Sequence, residues 1–512
     1  MSVADKAARG ALWTVVSSMG GRAIGVLGTL LMTRFLDTDD IGEVYDAVIL
    51  AMTANWLTIW GFGQYSVVKG RGPDAREVTW HAFVFYMVLG AISLGLVAIV
   101  GSQFTGMLRA PNAGKYIPWM ALALFIRRIG AIPERVLTRQ MKFRASGMSL
   151  AVGEFVYTAV ALSLAAAGWG GMSIIVANIA QSIAVVVILV RAAGVADWAT
   201  PHPLRMARIK DMLKYGLPLG VQGVAHNAAR YWDNLAISHY FGPGAAGAYN
   251  MAYNLADVPA IQVGEQIALV LLPSMTELPV DRRAHALERS SALLSLIIFP
   301  LAVGLGLVAY PLIALLLPAN KWQEVAPLLT VLACLSVFRP ITWTLSAYME
   351  AQAKTARLMY LEIAKVVLLL AGIALLQPFG LRAAAGAVGM AYGITAIAGV
   401  VMVVRQGPSW WRLLVGFLQP ALACGIMGLA VWLSEHGLVA VGLDHPAILL
   451  VVGIVVGALA YVASALVIAR STSRDLLRLV KRALVKRRTT GEMAALDPPV
   501  PPASSPSSTT PP

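Results

Sequence analysis

Apolar stretches of about 20 residues, separated by short polar breaks, recur along the whole chain. A helix of that length matches the hydrocarbon thickness of a bilayer. Backbone groups that face lipid must satisfy their own hydrogen bonds, so we expect every stretch to be an α-helix. The pattern predicts about fourteen transmembrane helices, at 11–36, 44–67, 80–103, 116–137, 147–167, 171–191, 216–241, 245–273, 291–317, 325–349, 358–378, 383–404, 411–434 and 446–469.

Composition agrees with a chain that lies in a membrane. Of its 512 residues, 58% are hydrophobic and only 13% are charged, whereas soluble domains carry about 25% charged residues. Cys334 and Cys424 both fall in apolar stretches, which favours small core residues over a disulfide or a metal pair. The sequence therefore predicts an all-α integral membrane protein with no metal site and no cofactor.

The basic residues indicate how the chain is oriented. An even number of spans places both termini on one side of the membrane. Lys and Arg concentrate on that side, and the opposite side holds only Arg34, Arg109, Lys115, Lys321 and Arg382. Because basic loops stay in the cytoplasm, we predict that both termini are cytoplasmic. The net charge of +14 is then a membrane signal, and we expect no nucleic-acid partner.

The C-terminal tail has two parts. Residues 471–490 form a basic amphipathic segment, which we expect to lie on the anionic inner leaflet; a partner-binding helix is the alternative. Residues 491–512 are rich in Pro, Ser and Thr and are predicted to be disordered.

One segment formally matches the dinucleotide-binding motif GxGxxG. Residues 242–247 read Gly-Pro-Gly-Ala-Ala-Gly and lie between two apolar spans. The motif acts only between a strand and a helix of a βαβ unit, and the pattern offers no such unit. We interpret these glycines as a tight turn between two helices.

The chain contains an apparent internal repeat. Small and polar positions in the first span recur 205 residues later, so that Gly42 aligns with Gly247, and a shift of 212 places Arg127 on Arg339. The alternative is that any two membrane helices can be aligned on their small residues. We expect two six-helix bundles of parallel topology and two extra helices. The boundaries are 1–200, 201–405 and 406–470. The aligned stripe pairs Arg22, Gly25, Thr29 and Thr33 with Asn227, Arg230, Asn234 and Ser238.

Six basic residues lie within predicted spans. A charge at mid-bilayer costs about 2.5–3.5 kcal/mol on insertion scales, so these residues should face the bundle interior or a wet cavity. They are Arg22, Arg127, Arg128, Arg230, Arg339 and Lys365. Two of them have an acidic residue three positions away, Arg230 with Asp233 and Lys365 with Glu362, and such pairs are also purely structural in many helices.

The other basic residues have no acidic neighbour on their own helix. Glu154, Asp257 and Glu265 are candidate partners across helices. For Arg127 and Arg128 the alternative is that both snorkel to lipid headgroups near the cytoplasmic end.

These charges and the polar seventh and eighth spans predict a substrate cavity. Surplus guanidinium groups suit a phosphate-bearing substrate, and amides suit sugars, although the same amides also serve helix packing. The predicted cavity residues are Arg22, Arg127, Arg128, Asn227, Arg230, Asn234, Asn254, Arg339 and Lys365. The predicted ion-coupling residues are Asp233, Asp257 and Glu265.

Several stretches resemble the bacterial polysaccharide-export flippases. These belong to the multidrug/oligosaccharidyl-lipid/polysaccharide exporter superfamily, and the resemblance covers about residues 5 to 410. It rests on ARGALWTVVSSMGGRAIGVLGTLLMTRFLDTDDIGEVY near the N-terminus, HYFGPGAAGAYNMAYNLADVP, LLPSM, and FPLAVGLGLVAYPLIALLLPANKWQEVAPLL.

The resemblance implies two six-helix bundles that form a V and give alternating access. It implies transport of undecaprenyl-diphosphate-linked oligosaccharide from the cytoplasmic to the periplasmic leaflet of the bacterial inner membrane. The glycan would serve O-antigen, capsule or exopolysaccharide synthesis, with a polysaccharide polymerase and co-polymerase as partners.

Three other functions compete with this one. A drug exporter of the same superfamily is disfavoured because the first span carries Arg22 and no acid. The peptidoglycan lipid-precursor flippases carry a similar cargo and are separated mainly by resemblance. A membrane glycan polymerase or glycosyltransferase would need a large external loop or an acidic catalytic motif. No P-loop or zinc spacing is found, so we expect a non-enzyme driven by ions rather than ATP. The glycan, the coupling ion and the oligomeric state are not encoded in any motif.

Overall fold

The computed structural model describes residues 20–21, 23–70, 74–140, 142–259, 264, 271, 275–318, 321–352, 354–405 and 407–478. All regular elements in these ranges are helical. The helices are α1 (Ala23–Met32), α2 (Thr38–Trp56), α3 (Phe62–Lys69), α4 (Ala75–Val100), α5 (Ile117–Arg139), α6 (Phe143–Ala166), α7 (Met172–Ala193), α8 (Met206–Phe241), α9 (Pro243–Pro259), α10 (Val280–Leu307), α11 (Ala309–Leu316), α12 (Val325–Leu335), α13 (Arg339–Ala351), α14 (Thr355–Leu376), α15 (Leu381–Val404), α16 (Trp410–Ala440) and α17 (Pro446–Ile468).

Nine helical segments in the described part are long and apolar enough to cross a membrane. They coincide with nine of the predicted spans. The other five predicted spans, at 11–36, 44–67, 116–137, 216–241 and 245–273, are mainly helical where they are described, but they are shorter, broken or more polar. The total of fourteen therefore stays a prediction.

Three predicted spans are each split into two α-helices, at 44–67, at 291–317 and at 325–349, where the 3₁₀ turn Ser336–Phe338 separates α12 from α13. The span at 44–67 divides into α2 and α3, because Gly61 has a left-handed backbone with φ of 65°. A Cβ atom on Gly216 of α8 would lie 1.7 Å from the Trp60 carbonyl oxygen, so α8 packs directly against this break. The span at 291–317 divides into α10 and α11 at Val308.

Helices pack mainly with others from the same part of the chain. Before residue 200, α4, α5, α6 and α7 pack in sequence, and α2 joins them through α4 and α5. After it, α8 packs on α14, α9 on α12, and α14 on α15. The last two helices pair with each other, and α16 lies along α10.

The two parts meet where α2 crosses α8 and α9. A Cβ atom on Gly42 would lie 1.8 Å from the Pro243 carbonyl oxygen, and one on Gly247 would lie 2.0 Å from that of Thr38. Gly42 thus contacts the residue four positions before Gly247, and Gly247 contacts the residue four positions before Gly42. Such a reciprocal contact is what a two-fold relation between the helices produces. It agrees with the 205-residue offset found in the sequence.

The turn between the two helices is confined to Gly242, and residues 243–247, which were predicted to belong to it, form the first turn of α9. The first helix, α8, ends at Phe241, Gly242 has φ of 88°, and α9 begins at Pro243. A positive φ favours glycine at this position. The tail is described only to residue 478, where 470–478 are helical and Arg289 of α10 contacts Asp475 at 3.0 Å. The rest of segment 471–490, and all of 491–512, lie outside the described residues.

Candidate functional site

A cavity of about 490 Å³ lies between the two parts of the chain. Helices α1, α2, α6 and α7 form one wall, and α8 and α9 form the other. Its polar lining consists of Thr29, Tyr45, Glu154, Tyr157, Asn178, Gln181, Arg230, Tyr231, Asn254 and Asp257. Among the described lining residues there is one guanidinium, from Arg230, and there are two carboxylates, from Glu154 and Asp257.

Asp257 of α9 binds two arginines. The Arg339 guanidinium at the start of α13 forms an ion pair with its Oδ1 atom, and Arg230 Nη2 lies 3.6 Å from Oδ2. The Arg339 side chain is 12% exposed and that of Arg230 is 34% exposed. Arg339 also lies against the ring of Tyr253, whose hydroxyl oxygen is 3.4 Å from Nη2. The more accessible arginine, Arg230, is the one that lines the cavity.

The pairing of Arg230 with Asp233, predicted from their spacing on α8, is wrong. Asp233 is buried and accepts hydrogen bonds from the Tyr249 hydroxyl at 2.7 Å and from Asn234. The side chain of Arg230 instead reaches Asp257. The spacing of three residues allowed the pair, but α9 packs on this side of α8 and supplies other partners for both groups.

Three amides form a hydrogen-bonded chain from α8 to α9, and two of them, Asn234 and Asn254, are predicted cavity residues. Asn250 Nδ2 donates to Asn234 Oδ1 at 3.1 Å, and Asn254 Nδ2 donates to Asn250 Oδ1 at 2.8 Å. Asn234 and Asn250 are buried, whereas Asn254 is exposed and lines the cavity. Asn227 donates to the Gly223 carbonyl of its own helix at 2.8 Å. Of these four amides, only that of Asn254 belongs to an exposed side chain that lines the cavity.

Lys365 and Glu362 form the predicted local pair. Lys365 Nζ lies 2.8 Å from Glu362 Oε1, and both side chains are largely buried within α14 and its neighbours. The Lys365 ammonium also lies 4.9 Å from the ring centroid of Tyr392, and Arg339 is 5.6 Å from the same ring. Lys365 belongs to an interior charge cluster and does not line the cavity.

Arg128 does not snorkel to headgroups, so that alternative is wrong for this residue. It is 2% exposed, and it donates to the Asn55 side chain at 2.6 Å, to the Tyr86 carbonyl at 2.7 Å and to Thr58. Gly90 makes room for it, since a Cβ atom there would lie 2.5 Å from the guanidinium. Arg127, the next residue on α5, points to the exposed surface.

Two predicted site residues, Arg22 and Glu265, lie outside the described residues. Conversely, the site predicted from the sequence lacked the polar residues of α6 and α7. Glu154 accepts a hydrogen bond from Gln181 Nε2 at 3.1 Å, and it approaches the α1 backbone at Gly25. Asn178 and Gln181 are polar positions three apart in an otherwise apolar span, which is a signal that could have identified them.

Residues 31–327 match a protein family described as "Polysaccharide biosynthesis protein". The chain is similar to the lipopolysaccharide biosynthesis protein WzxC of Escherichia coli, at 22% identity over 69% of this chain and 72% of that protein. It is also similar to the succinoglycan biosynthesis transport protein ExoT of Rhizobium meliloti, at 24% identity over 92% and 94% of the two chains.

Two solved structures share the fold. The lipid II flippase MurJ in an inward closed conformation superposes with a TM-score of 0.75 over 90% of this chain and 99% of that chain, at 14% identity. An inward-facing multidrug resistance transporter of the MATE family gives 0.63 over 75% and 97%, at 15% identity. At such low identity the likeness concerns the fold alone.

Proposed function

The chain belongs to the polysaccharide biosynthesis protein family, and on that basis we propose that it translocates undecaprenyl-diphosphate-linked oligosaccharide from the cytoplasmic to the periplasmic leaflet of the bacterial inner membrane. The relative ExoT is described as a transport protein, which supports a transporter rather than an enzyme. The product would supply O-antigen, capsule or exopolysaccharide assembly, with a polysaccharide polymerase and co-polymerase acting on it afterwards.

The polar cavity between the two parts of the chain is the observation that carries this proposal. A diphosphate and its sugars must cross about 30 Å of hydrocarbon, whereas a polyprenyl tail can stay in lipid. The cavity offers Arg230 to the diphosphate and Asn178, Gln181 and Asn254 to the sugar hydroxyls. Its wall is built from both parts of the chain, so a movement of one part against the other would change its access.

We assign different roles to the predicted site residues. Arg230 and Asn254, which line the cavity, face the cargo, whereas the same role for Arg22 rests on the sequence alone. Asp257 and Arg339 hold Arg230 in place, and Asn227, Asn234, Lys365 and Arg128 support the helices. Arg127, being exposed, is assigned to lipid headgroups. Asp233 and Glu265 remain candidates for ion coupling.

The proposed architecture is a V of two six-helix bundles, 1–200 and 201–405, with two extra helices over 406–470. The packing of helices within each part and the reciprocal contact of Gly42 and Gly247 support it. Alternating access would then occur about the crossing of α2 with α8 and α9. Both termini are placed in the cytoplasm on the distribution of Lys and Arg.

Depletion of the protein in its host tests the proposed cargo. We expect lipid-linked oligosaccharide to accumulate in the cytoplasmic leaflet, where a periplasmic ligase and an impermeant label cannot reach it, while surface polysaccharide is lost. The accumulated glycan would identify the substrate. A lipid-linked pool that crosses normally in depleted cells would contradict the proposal.

Export of small organic cations is a second candidate, and the position of Glu154 in the cavity favours it. A carboxylate attracts a cation, whereas it repels a diphosphate. Under this alternative Glu154→Gln abolishes resistance to cationic drugs and leaves polysaccharide output unchanged. Under the oligosaccharide proposal drug resistance does not respond to the substitution.

A further inference from the structure

Asp46 of α2 is a buried carboxyl at the contact between the two parts of the chain. It is 0% exposed, and its Oδ2 atom is hydrogen-bonded to the hydroxyl of Ser238 on α8. Its other oxygen, Oδ1, is buried without a hydrogen-bond partner among the described residues. An ionised carboxylate in such a place costs several kcal/mol, unless it is paired or becomes neutral.

The hydrogen bonds around the Ser238 hydroxyl indicate whether Asp46 is protonated or ionised. Its oxygen lies within hydrogen-bond distance of two acceptors, Asp46 Oδ2 and the Leu108 carbonyl oxygen at 3.0 Å. A hydroxyl has one hydrogen and can donate fully to only one acceptor. If Asp46 carries a proton, it donates to Ser238, and Ser238 donates to Leu108. Every hydrogen is then used and no buried charge remains.

The same contact joins the two parts of the chain on one face, the turn face, which we define by residues 33–37, 107–112, 238–243 and 321–322. Arg109 donates to the Tyr240 carbonyl at 3.2 Å, and Trp322 Nε1 donates to the Thr33 carbonyl at 3.2 Å. Lys321 and Asp37 form an ion pair at 2.6 Å. Asp46 is therefore buried because the turn face is closed.

Among the described residues, the elements packed around Asp46 do not supply a cation to it. On α2 itself the nearest charged residue in sequence is Glu43, an acid that accepts a hydrogen bond from Asn112 at 2.9 Å. On α8, His239 is bound to the Met107 carbonyl. On α9, the Tyr249 hydroxyl is bound to Asp233.

The remaining charged groups of adjacent elements are engaged elsewhere. In the segment before α5, Lys115 lies over the Tyr116 ring. On α5 itself, Arg128 is bound at Asn55, nine positions further along α2. The charged residues of α4 and α7 lie at the ends of those helices away from the turn face, at Arg76, Glu77, His81 and Arg191.

We propose that Asp46 is a proton-binding site of the transport cycle, which takes up a proton from water when the turn face closes and releases it when the turn face opens. The proposal rests on the proposed function only in taking the chain to be a transporter. Closure consumes a proton, so a lower pH at the turn face favours the closed state and a higher pH favours the open state. On the predicted orientation this face is periplasmic, and the proton comes from that side.

Distances between spin labels across the turn face test the proposal without any cargo. Trp169 and Phe379 are exposed in turns of the two different parts, so cysteines at these positions carry the labels, after Cys334 and Cys424 are replaced by Ala. In reconstituted protein we expect the short distance to predominate in acidic buffer and a longer distance to appear in alkaline buffer.

Two substitutions identify the titrating group. Asp46→Asn keeps a donor toward Ser238 and cannot ionise, so it should hold the short distance at every pH. Glu43→Gln is the matched control, because it removes the adjacent buried carboxyl. It should keep the pH-dependent change, because Asp46 is still present.

The proposal would be overturned if the distances in Asp46→Asn changed with pH in the same way as in the unsubstituted protein. It would also be overturned if the distances in the unsubstituted protein did not change with pH. If Asp46→Asn does not fold, Ser238→Ala serves instead, and it should reduce closure in acidic buffer by removing the acceptor of the Asp46 proton. Because no substrate is present, an error in the proposed cargo does not affect these outcomes.

Discussion

At the scale of single residues, Asp257 separates the roles of two arginines. It holds Arg339 in a nearly buried ion pair, and it holds the more accessible Arg230 at 3.6 Å, on the wall of the cavity. The Asp257 carboxylate compensates the charge of Arg230. A diphosphate that enters can bind Arg230 while Arg339 continues to neutralise the carboxylate.

Substitution of Arg230 by Ala should therefore reduce transport of lipid-linked oligosaccharide by about tenfold or more, because a hydrogen bond to a charged group contributes about 1.5–3 kcal/mol. Surface polysaccharide in a complemented depletion strain is the readout, with protein in the membrane measured in parallel. Arg127→Ala is the control, since that arginine is exposed on α5. Equal losses of surface polysaccharide in Arg230→Ala and Arg127→Ala would show that Arg230 is not part of the binding site.

Substitution of Arg339 by Ala should mainly reduce stability. It breaks a buried ion pair, which typically costs about 3–5 kcal/mol. Adding Asp257→Asn should restore part of the loss, because it removes the carboxylate that is left with one distant partner. Thermal unfolding of the purified variants in detergent measures both effects. An additive loss in the double variant would show that the two side chains are not coupled.

At the scale of elements, the close crossing of α2 and α9 depends on Gly42 and Gly247. The backbones are in such contact that no side chain fits at either position while the turn face is closed. The glycines therefore matter for one conformation of the protein rather than for the stability of either helix.

Gly42→Ala and Gly247→Ala should each shift the protein toward an open turn face. The reporter is a cysteine at Asn254, an exposed lining residue, in a chain whose own two cysteines are replaced. We expect an impermeant thiol reagent to label it severalfold faster in intact cells than in the parent chain. The control is Gly425→Ala on α16, where a Cβ atom meets nothing within 4 Å. An unchanged labelling rate in both Gly42→Ala and Gly247→Ala would show that these glycines do not control opening of the turn face.

At the scale of the whole molecule, orientation decides which leaflet the cavity serves. The turn face is the sparsely basic side of the predicted topology, and the opposite face holds the loops rich in Lys and Arg. The predicted topology places the turn face on the periplasmic side.

Reporter fusions after Arg205 and after Lys481 should both indicate the cytoplasm, and a fusion after Asn112 should indicate the periplasm. A phosphatase reporter active only outside and a fluorescent reporter active only inside give opposite signals at each site. A periplasmic signal after Arg205 would break the predicted alternation of spans.

The sequence alone determined the properties that depend on local pattern. Helix-length apolar stretches predicted the helices, because lipid requires each to satisfy its own backbone. Spacing along one helix predicted the pair of Lys365 and Glu362. The 205-residue repeat predicted that Gly42 and Gly247 occupy equivalent positions, and the two make equivalent contacts. Quoted stretches within residues 31–327 pointed to the polysaccharide-export family before any fold was known.

Only the tertiary structure decided which charges meet. Arg230 joins Asp257 rather than Asp233, and Arg128 is buried against Asn55 and Tyr86 instead of reaching headgroups. The side chain of Asp46 meets Ser238, a residue 192 positions away. A helical pattern defines the face on which a side chain lies, but the crossing of helices distant in the chain defines what it contacts. For that reason the cavity, the partners of its charged residues and the proton-binding site emerged only from the packed helices.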